Sequence, residues 1–208
     1  MPRRPARALP AYVDTPAGLV TPAGTRFRTS ERLLEEWAGP VFAYEPLGEI
    51  VRRAEVWVRA PATLALLALP VFLFVVPAWA AGLLALVLYA SASLALPAAP
   101  SRWAGRVLAV LEKPLVQGAY YVLVLSWLGT GGALAATAVG LAGFVGFRLG
   151  AVQALLAPVL AQAHARLYPL PPADQVLRAH VVRAALRHGV RLPELARLER
   201  SARAAWRR

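Results

Sequence analysis

Three residues stand out because they are charged inside otherwise apolar sequence: Glu112, Lys113 and Arg148. An acid and a base inside a membrane can form an ion pair, carry a proton or ion, or reach the headgroups by extending their apolar stems. Lys113 lies sixteen residues before Gly129 and Arg148 sixteen residues after Gly132, so the two positions share a depth on either side of one turn. The spacing predicts that Glu112 pairs with Arg148 across adjacent antiparallel helices, since a lone charge at that depth is costly. Three roles compete: a structural pair with Lys113 and Arg148 snorkelling to the headgroups, a proton or ion path that would also use Gln117, or a docking point for a partner helix.

Other chemistry is sparse. The chain has no cysteine and three histidines, His164, His180 and His188, all outside the apolar stretches. Disulfides, thiolate metal sites, iron–sulfur clusters and a cysteine nucleophile are therefore excluded. His180 and His188 fall about 80° apart around a helix, not at the i, i+4 spacing of a metal-binding pair, and solvated surface histidines are expected. The glycines near 129–132 and 140–150 lie in apolar sequence, so they form no phosphate-cradling loop between a strand and a helix. We expect no catalytic residues, no cofactor and no metal, and a protein that is not an enzyme.

The elements that position these residues follow from two stretches without formal charge, Ala62 to Leu96 and Pro114 to Phe147. Each is longer than the ~20 residues needed for one crossing of a bilayer. The first is interrupted by Pro77 and the second by Gly129-Thr130-Gly131-Gly132. The expected fold is all-α, a polytopic membrane protein of two transmembrane hairpins (four membrane helices) with short cytoplasmic amphipathic helices at both ends. We divide the chain into a cytoplasmic tail with turns and interfacial helices (1–61), a first hairpin (62–97) and a connection (98–113). A second hairpin with an extended fourth helix (114–165) and a basic helical pair (166–208) follow. The connection is either a separate interfacial helix or the start of the third crossing, which then begins at Trp103 rather than at Pro114. The hydrophobic share of 58% exceeds the roughly 45–50% of soluble domains.

Within the tail, Thr15–Gly18 and Thr21–Gly24 repeat Thr-Pro-Ala-Gly and read as two turns in a mostly irregular segment, with at most a short ribbon at Leu19-Val20. Ser30 is a candidate N-cap for a helix that Gly39-Pro40 should stop. Residues 46–60 have the pattern of an amphipathic helix on the membrane surface, turning inward at Pro61. In the fourth helix Ala138, Ala142, Gly146 and Gly150 form a row of small residues, the pattern that lets another backbone approach closely. The helix is expected to run on past Arg148, with a kink at Pro158. A cytoplasmic helix should span 173–188 with Gly189 as its C′ residue, and a last helix should begin at Pro193.

The net charge of +12 lies almost wholly outside the apolar stretches. Arginines are concentrated before residue 62 and after residue 165, with Arg102 and Arg106 in the connection, whereas the turns at 76–82 and 128–132 carry no charge. By the positive-inside rule both termini are cytoplasmic. Trp57 and Trp103 then fall at the inner boundary and Trp79 and Trp127 at the outer one, as interfacial anchors do. The expected location is a bacterial plasma (inner) membrane, with the bilayer, anionic headgroups at the cytoplasmic face and other membrane subunits as partners, and no nucleic acid. The function these features suggest is that of a non-catalytic accessory, scaffold or assembly subunit of an inner-membrane complex, a respiratory one among the candidates. The alternatives are a small transporter or channel and a membrane-shaping hairpin protein.

Overall fold

The computed structural model describes residues 11–95, 102–168 and 170–192; the helix expected from Pro193 lies outside them. The chain is mostly helical and divides into two compact units. One comprises Met1–Glu55 with Leu177–Arg208, the other Val56–Val176. Tail and C-terminal helix are therefore one body, where the sequence suggested separate extensions at the two ends.

From Val13 onward the tail is not irregular. The turn motifs produce a three-stranded antiparallel meander, β1 (Val13–Thr15), β2 (Gly18–Val20) and β3 (Arg26–Phe27), with Val13 opposite Val20 and Thr15 opposite Gly18. Gly18 is required twice over: its φ of +113° suits glycine, and a Cβ there would lie 2.0 Å from the Phe27 carbonyl oxygen. Leu19 and Phe27 turn inward and are buried. Helix α1 (Glu31–Phe42) begins at Ser30, whose side chain accepts from the Leu33 N–H. Pro40 kinks the helix at Ala38 instead of ending it. Leu34 and Val41 of α1, Ile50 and Val51 of the following helix, and Leu177 and Val181 further along complete this core.

Helix α2 (Leu47–Val75) is continuous through Pro61 and Pro70, with no inward turn at Pro61. Its 29 residues span about 44 Å. The chain breaks at Pro77, and α3 (Ala78–Ala95) follows. Both helices are long and apolar enough to cross a membrane. The connection resolves into a separate helix, α4 (Arg102–Leu111), bent by 66° from α5 (Pro114–Thr130). Pro114 explains the break: a proline favours the first helical position and disfavours helical backbone in the residue before it, and Lys113 is extended at φ −61°, ψ 129°.

The fourth helix is likewise broken. Helix α6 (Leu134–Arg148) stops at Arg148, Gly150 takes a left-handed φ of +79°, and α7 (Ala151–Leu167) leaves at 65° to it. The bend falls at this glycine; α7 continues through Pro158. Counting each bent pair as one span gives up to four crossings. Helix α8 (Pro172–His188) closes with Gly189 at φ +67° and a hydrogen bond from the Val190 N–H to the Ala185 carbonyl, the arrangement that caps an α-helix with a left-handed residue.

The core of the second unit joins α2, α3, α5 and α6 through Leu66, Leu69, Leu73, Ala81, Ala85, Tyr121 and Phe147. α3 packs on α6 and α7, and α5 on α6. Outward faces remain strongly apolar: Leu115 is 86% exposed and Leu123 73%. Such surface in helices of this length and composition is what a hydrocarbon environment accommodates.

Candidate functional site

The charged residues of the second unit do not assemble as the spacing suggested. Glu112, at the end of α4, meets Arg59 of α2 at 2.8 Å, not Arg148. Its carboxylate is mostly shielded, with 14% side-chain exposure, while the Arg59 guanidinium is 39% exposed. The α4–α5 bend is the physical reason. It takes Glu112 off the axis of α5, so depth counted from the outer turn no longer describes where its side chain goes. Lys113, in the extended link, is exposed.

Arg148, at the last position of α6, is exposed and approaches the side-chain oxygen of Gln117 at 3.5 Å. Gln117 itself is buried in the first turn of α5. Gln153 stitches the bend after Arg148 by donating from Nε2 to the Phe147 carbonyl at 2.9 Å.

Sequence reasoning missed a pair of tyrosines. Pro70 has no N–H, so the Leu66 carbonyl, four residues earlier, loses its helical donor. The Tyr121 hydroxyl of α5 donates to that carbonyl at 2.5 Å, and Tyr120 donates to the Leu67 carbonyl at 3.0 Å. The signal was present as a proline inside an apolar run, but which donor replaces the lost N–H depends on helix packing.

His164 is a second group whose partners the sequence did not indicate. It is 4% exposed, and its two ring nitrogens lie 2.8 Å from the Leu160 carbonyl and 3.0 Å from the Ser93 carbonyl. Four residues on, Tyr168 donates its hydroxyl to the Leu94 carbonyl at 2.6 Å. A half-open cavity of about 330 Å³ lies beside these contacts. Trp57 and Pro61 of α2, Tyr89 and Ser93 of α3, and Leu160 and His164 of α7 are among its walls. Its volume is at the small end of the range for ligand pockets, and its lining is almost wholly apolar.

The tryptophans divide. Trp79, Trp103 and Trp127 are exposed, at 74%, 76% and 68%. Trp57, expected as an anchor at the inner boundary, is instead buried inside the unit, with Gly105 of α4 against its indole nitrogen. The row of small residues is not confined to one helix. Ala138 and Ala142 are exposed, and Gly150 lies outside α6. Other glycines of α6 make room for leucine side chains: a Cβ at Gly143 would lie 2.2 Å from Leu69 Cδ2, and one at Gly140 2.5 Å from Leu125 Cδ2. Gly146 faces Val152 beyond the bend.

The first unit has its own charge cluster, built on Glu45 at the corner between α1 and α2. One carboxylate oxygen accepts from Arg53 at 2.6 Å; the other meets Arg187 and lies 3.1 Å from His188 Nε2. His188 stacks on Tyr44 with ring centres 5.0 Å apart. Burial of Glu45 opposes ionisation, but the hydrogen bonds from His188 and Arg53 and the charges of Arg187 and Arg53 outweigh it, holding the carboxyl below the usual carboxylate range. His188 is exposed, as expected of a surface histidine, but also makes these contacts, whereas His180 is buried. Among the described residues no group of three or more His, Cys, Asp or Glu is placed to hold a metal ion.

Set against protein-family models, curated proteins and solved structures, the chain matches none. The functional reading therefore rests on the chain's own residues.

Proposed function

We propose that the chain is a non-catalytic accessory or assembly subunit of a bacterial inner-membrane complex, with both termini in the cytoplasm. The observation that carries this reading is the division of labour on α6. Its Gly140 and Gly143 face is used for internal packing against α2 and α5, while Ala138 and Ala142 are left exposed on another face, beside Leu134, Leu141 and Val145. A second small-residue face of this kind fits a transmembrane helix of another subunit. Exposed Lys113 and Arg148 next to apolar helices support contact with anionic headgroups at the same level.

Purification in mild detergent followed by mass spectrometry of the intact assembly tests the proposal. A stoichiometric set of other membrane subunits is expected, and replacing Ala138 and Ala142 by leucine should release them. A homo-oligomer with no other subunit overturns it. Orientation has its own test, because the chain has no cysteine of its own. Single cysteines at Ala78 and Gly131 should react with an impermeant thiol reagent in intact cells, and one at Arg32 should not.

A further inference from the structure

We propose that His164 is a proton-operated latch that fastens α7 to the C-terminal end of α3 and, with it, one wall of the cavity. The geometry requires a proton. Both ring nitrogens face carbonyl oxygens within hydrogen-bond distance, and a neutral imidazole has one N–H to donate. Only the imidazolium satisfies both contacts; in the neutral ring a nitrogen lone pair faces an oxygen lone pair.

The receiving end favours that cation. α3 is described as far as Ala95, so the Ser93 and Leu94 carbonyls lie toward its C-terminal end, where the helix dipole presents partial negative charge. A continued helix would still leave Ser93 without a donor, because the residue four positions on is Pro97. Tyr168 donates its hydroxyl to the neighbouring Leu94 carbonyl and acts as the fixed point, with His164 as the switch.

The titratable and charged groups of the surrounding elements leave the switch to His164. On α3, Tyr89 shares a side-chain hydrogen bond with Ser93. On α2, Arg59 is engaged by Glu112. α7 itself brings Arg166 and Tyr168, and α8 brings the buried Asp174 near Pro172 and Val176 of the cavity wall. Because Ser93 and His164 both line the cavity, loss of the proton weakens the link between two of its walls.

The experiment uses the full chain in lipid nanodiscs with nitrogen-15-labelled histidine, compared at about pH 5.5 and about pH 8. A variant in which His180 and His188 are both asparagine leaves His164 as the sole histidine without altering the latch. At the lower pH its two nitrogens should report an imidazolium, and at the higher pH one neutral tautomer. In that same His180 and His188 variant the thermal midpoint should fall by about 2–4 °C over that range, and adding His164→Gln, whose amide donates at any pH, should remove the fall. A neutral His164 at both pH values overturns the proposal, as does an unchanged pH dependence in His164→Gln.

Discussion

The Arg59 guanidinium lies 2.8 Å from the Glu112 carboxylate, joining the middle of α2 to the end of α4. Glu112→Gln leaves Arg59 without its partner and is expected to lower the thermal midpoint of the detergent-purified protein. The double replacement with Arg59→Gln should recover part of the loss. The coupling should fall toward the lower end of the 0.5–3 kcal/mol seen for residues in contact, about 0.5–1 kcal/mol, because Arg59 is partly exposed to screening. Glu112→Gln with Arg148→Gln should be additive, and strong coupling in that pair would contradict the arrangement described here.

Removing the Tyr121 hydroxyl should cost about 1–3 kcal/mol, the penalty for an unsatisfied buried carbonyl. The test is a cycle with Pro70. In a Pro70→Ala background an N–H returns to the Leu66 carbonyl, so Tyr121→Phe should become cheaper there, as read by denaturation in mixed micelles.

The two small-residue faces of α6 should respond differently. Gly143→Ala forces a Cβ into Leu69 and should destabilise the isolated protein by about 1–3 kcal/mol. Ala142→Leu, on the exposed face, should leave its midpoint within about 0.5 kcal/mol. Equal losses from both would show that the exposed face is also part of the fold.

Acid should weaken the first unit through Glu45. Its carboxyl is held below the ordinary value when folded, so its contribution to stability is present above the unfolded-state pKa and is lost as pH falls through the folded one. Thermal midpoints across about pH 7 to about pH 3 should therefore drop more for the wild type than for Glu45→Gln. Parallel curves would refute this role for Glu45.

The sequence by itself determined what depends on composition and on local backbone chemistry. Apolar runs too long for one crossing, Pro77 between α2 and α3, the Ser30 cap, Pro114 as a helix start and Gly189 as a helix stop all follow from the reach of a helix and from which residues can donate, cap or take a left-handed φ. Tertiary structure decided which polar groups meet. Glu112 finds Arg59 because α4 bends away from α5, Tyr121 finds Leu66 because α5 lies against the proline-interrupted turn of α2, and Glu45 gathers Arg187 and His188 across 142 and 143 residues of chain. Glycine spacing on α6 showed that a helix would pack closely, yet not through which face, since alternate rows of small residues satisfy the same four-residue period. His164 could not be placed from sequence for the same physical reason: its partners are backbone carbonyls, which every residue has, and only the fold selects the Ser93 carbonyl as the one that it reaches.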